Sequence, residues 1–251
     1  MRLAYDEQDL LARLLSPTLG DSAVECAARL MNRFGSLGAC VAAPTAEILR
    51  VLGLEGAACA HSLADLQRLI VTVLRRRLAK RPILGSRTVL DRYLLTSLTH
   101  EPREQFRVLY LDKRNGLIAE EVVGTGTLDH APVYPREVVR RAVDQGASAL
   151  ILVHNHPSGD PEPSAQDLLM TDKIVAGCAV FGIEVHDHIV VGRGETFSFY
   201  ANGLMARGET AFEHSEWLLK RRTGGVRKAP RIRPVRTASR GQAGAADVAL
   251  G

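Results

Sequence analysis

Two histidines and one aspartate near the middle of the chain have the types and spacing of metal ligands. His154 and His156 lie two positions apart at the end of the apolar run 149–153, which is typical of a buried β-strand. Side chains two positions apart on a strand point to the same face, so both imidazoles can reach one point. With Asp167 they supply the usual protein ligands of a catalytic zinc ion, whose fourth position holds water.

The segment between the histidines and the aspartate is predicted to be a turn followed by a helix. Residues 157–163 contain three prolines and one glycine, which favour a turn. Ser164 and Asp167 then have the spacing of a capping box, with Asp in place of Glu. Asp167 is therefore expected in the first helical turn, from which it can reach back over the strand end. The simpler alternative is that both histidines are polar strand-end residues and that Asp167 only caps the helix.

The pattern His154-Asn-His156-Pro followed by Ser164-x-x-Asp167 resembles the motif of the JAMM (MPN-plus) metalloproteases. The longer form His-Asn-His-Pro-Ser-Gly-Asp-Pro is similar to that of the bacterial RadC family. The likeness extends over residues 86–210 through segments at 106–112, 124–127, 134–137 and 187–188, and more weakly over the N-terminal part. The resemblance implies one Zn²⁺ per chain, bound by His154, His156 and Asp167.

The same resemblance implies an activity and two further site residues. JAMM enzymes have a glutamate at the start of the first strand of the fold, and Glu104 stands there as the expected general base, with Glu101 as its competitor. The serine that matches Ser164 donates a hydrogen bond to the oxyanion of the tetrahedral intermediate. The implied reaction is hydrolysis of a peptide or isopeptide bond by zinc-activated water, on an unidentified protein or peptide substrate.

A second His-x-His pattern, His186-Asp187-His188, lies in the next predicted strand. No third ligand is obvious for it, so we expect a structural role or a role in supporting the metal ligands. Alternation along residues 183–191 would place four residues on one face of that strand: Val185, Asp187, Ile189 and Val191.

The elements expected to position these residues form an α/β unit. In chain order they are a strand at 104–112, a hairpin turn at 112–116, a return strand at 117–123, a helix from Pro135 to Gly146, the histidine strand, a helix at 164–181, and strands at 183–191 and 196–200. The resemblance implies that they build a mixed sheet with packed helices, JAMM-like and cytidine-deaminase-like, preceded by a small all-helical domain. The predicted domains are 1–85, 86–210 and a basic tail at 211–251.

Residues 5–80 have the periodicity of four helices, at 6–15, 22–34, 45–52 and 57–80, the second opened by a capping box at Ser22 and Glu25. The glycine-containing segment 52–56 resembles the turn of a helix-hairpin-helix, which holds DNA phosphates with backbone N–H groups. Members of the RadC family usually have a second Gly and a Lys there, where this chain has Glu55 and Ala58. Because a carboxylate repels phosphate, a helical docking module is as good an interpretation as a DNA clamp.

The net charge of +4 is unevenly distributed along the chain. Residues 1–85 carry 11 Lys and Arg against 8 Asp and Glu, residues 86–210 carry 12 against 17, and residues 211–251 carry 9 against 3. The acidic middle between basic flanks indicates that any anionic partner meets the flanks. Weak, sequence-independent DNA binding would use a basic run and the tail: Arg75, Arg76, Arg77, Lys80, Arg81 and residues 220–240. The run is more typical of a solvated helix end. The tail, which we predict to be disordered, is equally typical of a solubilising segment.

Composition places the chain among ordinary globular proteins, with 46% hydrophobic and 24% charged residues. No apolar run of about 18 residues is apparent, so no membrane partner is expected. The N-terminus has no apolar signal core. The four cysteines form no Cys-x-x-Cys pair, which favours reduced thiols in a cytoplasmic protein.

Overall fold

The computed structural model describes residues 6–79, 82–85, 87–126 and 133–205. Eight α-helices are present in this part of the chain: α1 (Glu7–Leu19), α2 (Ala23–Phe34), α3 (Leu37–Ala42), α4 (Thr45–Leu52), α5 (Ala57–Ala79), α6 (Arg87–Leu98), α7 (Pro135–Asp144) and α8 (Ala165–Val180). The strands are β1 (Gln105–Leu111), β2 (Leu117–Thr125), β3 (Ala149–Asn155), β4 (Glu184–Val191) and β5 (Thr196–Ser198). The predicted tail 211–251, together with Lys80 and Arg81, lies outside the described residues.

The strands form one mixed five-stranded sheet in the order β2-β1-β3-β4-β5. β1 is antiparallel to both β2 and β3, whereas β3 and β4 are parallel, with α8 connecting them. β5 is antiparallel to β4. This architecture confirms the predicted α/β fold with a mixed sheet and a helical region before it.

The two faces of the sheet pack against different helices. One face, with Phe106, Val108 and Tyr110 of β1, shares a core with α7 and α8. The opposite face, with Leu109 and Leu111, shares a core with α6 and with the C-terminal end of α5. The residues of β1 thus alternate between the two faces, and β3 is buried along its whole length because helices cover both faces of the sheet.

Helices α1–α4 and the N-terminal half of α5 enclose a separate core. The long helix α5 belongs to both regions, since Cys59, Ala60 and Leu63 lie in the helical core and Leu78 lies in a sheet core. By length and composition alone, the segment Leu54–Ala79 could cross a membrane, because its most apolar 18-residue window has a mean hydropathy of 1.2. Because this helix forms part of two cores, its apolar content is weak support for a membrane role.

Several local expectations differ from the structure. The helices α3 and α6 were not predicted, and α1 continues through Pro17 to Leu19. The capping box at Ser22 is wrong: this residue is at the end of the 3₁₀ turn Gly20–Ser22 with helical dihedrals, so its side chain makes no capping hydrogen bond. The four cysteines are free and buried, as predicted for reduced thiols.

The alternation predicted for β4 is also wrong. Val185 pairs with Leu150 and Asp187 pairs with Ile151, so His186 is an extra residue in the ladder, a β-bulge. Val185 therefore packs in the core beside α7 and α8, whereas Ile189 and Val191 pack in the core beside α6.

Candidate metal centre

The predicted ligands meet at the end of β3. His154 and His156 have their Nε2 atoms 3.0 Å apart. The Asp167 carboxylate lies beside both, with Oδ1 3.4 Å from His154 Nε2 and Oδ2 3.6 Å from His156 Nε2. Within the described residues, this is the one group of three or more His, Cys, Asp or Glu side chains that could hold a metal ion.

Backbone pairing explains why the two histidines converge. His154 is the penultimate residue of β3 and pairs with Phe106 on one side and Val190 on the other. His156 lies beyond the strand, but its N–H still donates to the Val191 carbonyl at 3.0 Å, which continues the ladder by one step. The i, i+2 relationship of a strand therefore holds for both side chains.

The aspartate reaches the histidines through the predicted capping box, which is present. The backbone N–H and the hydroxyl of Ser164 both donate to Asp167 Oδ2, at 2.7 and 2.6 Å, and the Asp167 N–H donates to Ser164 Oγ at 3.2 Å. These bonds hold the carboxylate over the strand end. They also direct the Ser164 hydroxyl at a ligand, so the oxyanion role predicted for Ser164 requires that hydroxyl to rotate.

The pKa values of Asp167 and His156 are both shifted at the site. Burial alone would raise the pKa of Asp167, but interactions with the neighbouring His154 and His156 rings and the hydrogen bond from Ser164 outweigh burial and hold it well below its ordinary range. The same carboxylate is the main reason that the pKa of His156 is raised above its ordinary value, against the opposing effect of burial. The paired groups form a compact site that is anionic at Asp167 and ready to exchange protons for a cation.

Each histidine has a partner for its other ring nitrogen. His156 Nδ1 lies 2.7 Å from the Asp160 carbonyl oxygen, which can only accept, so Nδ1 carries a proton, and Nε2 faces the site, where it can bind a metal once it is deprotonated. His154 Nδ1 lies 2.8 Å from His188 Nε2. Burial lowers the pKa of His188 well below its ordinary value, so this ring is neutral. His188, from the second His-x-His pattern, thus contacts His154 directly, as expected for a residue that supports a metal ligand.

The residue between the two histidines, Asn155, holds the segment that precedes β1. Its Oδ1 accepts from the Gln105 N–H at 2.9 Å, and its Nδ2 donates to the carbonyls of Glu101 and Arg103 at 3.2 and 3.1 Å. Asn155 is only 1% exposed and uses all its hydrogen-bonding groups on this segment. Sequence reasoning missed this residue, although a polar side chain between two ligands must point away from them on a strand.

The segment that Asn155 holds carries both candidate bases. The Glu104 charge is the last and smallest of the influences that raise the pKa of His156. Glu101 lines a cleft together with Pro102 and His100, between α6 and the helical region. Both carboxylates stay candidates, and the catalytic role of Glu104 stays a prediction.

The remaining residues of the second pattern lie elsewhere. Asp187 accepts hydrogen bonds from Arg87 Nη1 at 2.8 Å, Ser198 Oγ at 2.6 Å and the Tyr200 N–H at 3.0 Å. It thereby joins α6 and β5 to β4. His186 Nε2 lies 2.7 Å from Asn115 Oδ1 in the β1–β2 turn. Neither residue belongs to the metal-ligand group.

Comparison with known proteins agrees with this site and fold. A family model described as "RadC-like JAB domain" matches residues 84–204. A UPF0758 protein of Rhodobacter capsulatus is 46% identical over 203 residues, covering 80% of this chain and 94% of that protein. A UPF0758 protein of Ruegeria pomeroyi is 41% identical over 203 residues, covering 80% of this chain and 90% of that protein. The chain therefore belongs to the RadC-like JAB-domain family, in the group of UPF0758 proteins.

Proposed function

We propose that this protein is a zinc-dependent hydrolase that cleaves a peptide or isopeptide (amide) bond in a protein or peptide substrate. The observation that carries the proposal is the convergence of two imidazole Nε2 atoms and one carboxylate at a strand end, within 3.0–3.6 Å of each other. Three ligands of these types are the usual set at catalytic zinc sites.

The residues fit a zinc ion in their chemistry as well as their number. His156 Nδ1 donates to a backbone carbonyl, which leaves the Nε2 lone pair for a metal. No thiolate takes part, since the four cysteines are buried elsewhere, in the helical core and in the core beneath α8. When bound, zinc would lower the pKa of a water molecule and polarise the scissile carbonyl.

The chain's own residues would move the protons. The Glu104 carboxylate accepts the proton of the attacking water and passes it to the leaving amine nitrogen. Asn155 keeps Glu104 in place by holding the backbone on both sides of it. The Ser164 hydroxyl, turned away from Asp167, donates to the oxygen that becomes negatively charged at the scissile carbonyl.

The test is a screen of the purified zinc-loaded chain against peptides, isopeptide-linked peptides and small amides. Glu104→Gln should keep zinc and lose turnover by roughly a hundredfold or more, because the general base is removed. Glu101→Gln is the matched control and should keep both zinc and turnover. Undiminished turnover in Glu104→Gln would contradict the proposed base, and a wild-type chain that binds no zinc would contradict the whole mechanism. The buried free cysteines support the cytoplasm as the place of this activity.

A second candidate function is DNA association with a structural or vestigial zinc site. It is favoured by the shape of the α4–α5 connection, which resembles the turn of a helix-hairpin-helix: the turn at Gly53 is tight, with φ of 79°, and Leu54 is exposed at its tip. Arg76 and Arg77 are exposed near the other end of α5, whereas Arg75 contacts Glu120 at 3.4 Å.

Binding of this kind would be weak and strongly salt-dependent, since its contacts are Lys and Arg to phosphate. Glu55→Gly should strengthen it by removing a repulsive carboxylate, and deleting the tail should weaken it and flatten the salt dependence. Fluorescence anisotropy of a short duplex at several salt concentrations measures both effects. Tight binding that ignores salt would overturn this candidate.

A further inference from the structure

Beyond the proposed function, and resting on it for the metal, we propose that His188 and Thr171 are positioning residues for the metal ligand His154. They form a hydrogen-bonded chain that begins at the backbone carbonyl of Asp167 and ends on the ring of His154. The chain holds His154 in the one neutral tautomer whose Nε2 lone pair faces the metal.

The hydrogen-bonded chain consists of three short contacts. Thr171 Oγ1 lies 2.6 Å from the Asp167 carbonyl oxygen and 2.6 Å from His188 Nδ1. His188 Nε2 lies 2.8 Å from His154 Nδ1. Thr171 is 1% exposed, and both His154 and His188 are 0% exposed. Water therefore cannot reach these groups and replace any of the hydrogen bonds.

The direction of every bond follows from the first acceptor. A backbone carbonyl can only accept, so the Thr171 hydroxyl must donate its single proton to Asp167. Thr171 Oγ1 then has only lone pairs for His188, which must carry its proton on Nδ1. The His188 ring is fully buried and its hydrogen-bond partners are a hydroxyl and an imidazole, so with its proton on Nδ1 it accepts at Nε2, and His154 donates from Nδ1. In the neutral His154 ring Nε2 is then unprotonated, as a metal ligand has to be.

The opposite direction fails at both ends of the chain. If His188 carried its proton on Nε2, it would require the Thr171 hydroxyl proton at Nδ1, and two oxygens 2.6 Å apart would be left with no hydrogen between them. His154 would then carry its proton on Nε2, where it would oppose a cation. The hydroxyl thus decides the protonation of a ligand that it does not touch.

Aromatic side chains pack against the His188 ring and hold it in place. The His188 ring stacks on Phe199 with centroids 4.6 Å apart, and Phe106 lies 5.3 Å from it on a tilted plane. Phe106 also stacks on His154 at 6.0 Å with an interplanar angle of 5°. The two imidazoles are therefore held by the same aromatic side chain as well as by their hydrogen bond.

The first experiment determines the tautomer of His188 by long-range ¹H–¹⁵N NMR on the full chain at neutral pH, with and without added zinc. We expect His188 to carry its proton on Nδ1 in both samples. Thr171→Val, which keeps the side-chain shape but removes the hydroxyl, should populate the other tautomer, and Thr171→Ser should not. His188 protonated on Nε2 in the wild type, or an unaltered tautomer in Thr171→Val, would overturn the proposal.

The second experiment measures zinc affinity by competition with a chelator. Thr171→Val and His188→Phe should weaken zinc binding by about ten- to a hundredfold, as expected for partners that orient a ligand, while Thr171→Ser stays near wild type. Zinc content at saturation should remain near one per chain, also in His188→Ala, because His188 is not a ligand. Equal affinity in Thr171→Val and Thr171→Ser would contradict the positioning role. A wild-type chain without zinc affinity would refute the proposed function, yet the NMR result would still decide on the chain of hydrogen bonds.

Discussion

Two His-x-His patterns lie on the neighbouring parallel strands β3 and β4, and they serve different purposes. In the first, both imidazoles point to the same spot, with Nε2 atoms 3.0 Å apart. In the second, His188 contacts the candidate metal ligand His154, whereas His186 contacts Asn115 in the β1–β2 turn. The same spacing therefore produces a ligand pair in one strand and two unrelated contacts in the other.

The difference comes from the pairing of each strand and from the segment after it. The first pattern keeps regular strand pairing through His156 and leads into a turn and helix that bring Asp167 back. The second has a bulge at His186, which breaks the alternation with Asp187 and His188. A His-x-His spacing indicates a metal site only if the strand is regular and a third ligand can return to it.

The largest expected effect tests the comparison directly. His156→Ala should weaken zinc binding by roughly a hundredfold or more, because three protein ligands leave little redundancy. His186→Ala, the matched change in the second pattern, should leave zinc affinity unchanged. Elemental analysis and chelator competition on the purified proteins give the values. Zinc content of His156→Ala equal to that of the wild type would remove the basis for the site.

The middle residues of the two patterns, Asn155 and Asp187, also bind different parts of the structure: Asn155 binds the segment before β1, whereas Asp187 binds α6 and β5. Asp187→Asn should lower the free energy of unfolding by about 2–4 kcal/mol, because Arg87, Ser198 and the Tyr200 N–H all donate to this buried carboxylate. Urea unfolding measures the loss. The control is Asp91→Asn, which removes the more exposed partner of Arg87 and should cost under about 1 kcal/mol. Similar losses in the two variants would mean that the buried contacts of Asp187 add little.

A second carboxylate on α8 tests whether partners, and not burial, make Asp167 acidic. Burial raises the pKa of Asp172 to about 6, in contrast to the lowered pKa of Asp167. A raised carboxyl pKa favours folding at low pH, and this contribution is lost as the pH rises from about 4 to about 6.

Asp172→Asn should therefore raise the free energy of unfolding above pH 6 by about 1 kcal/mol, after a discount for partial solvent screening, and change little below pH 4. Urea unfolding at both pH values is the measurement. An equal effect of the substitution at the two pH values would contradict the titration of this carboxyl.

The smallest effect is expected from removing residues 221–251. This segment contains no periodic apolar face, so its deletion should leave the thermal midpoint and zinc content unchanged. Both His-x-His patterns lie within residues 6–205 and should function without it. A clear fall in the thermal midpoint would mean that the segment packs on the folded part.

Local sequence signals were sufficient for much of this protein. The apolar run before His154, the prolines of the turn and the Ser164–Asp167 spacing predicted a strand, a turn and a capped helix, and each is present. These features depend on short-range geometry, namely the period of a strand and the hydrogen bonds of a helix end. The ligand set could be predicted because all its members lie within fourteen consecutive residues, 154–167.

Only the tertiary structure decided the contacts between residues far apart in the chain. The bulge at His186 depends on how β4 pairs with β3, which no local pattern in β4 reveals. The hold of Asn155 on residues 101–105 and the chain from Thr171 through His188 to His154 join segments separated by 17 to 54 positions. Sequence alone thus determined which residues can bind a metal, whereas long-range packing determined which groups form hydrogen bonds to them. The physical reason is that hydrogen-bond direction depends on the final acceptor in space, and here that acceptor is a backbone carbonyl with no signature of its own.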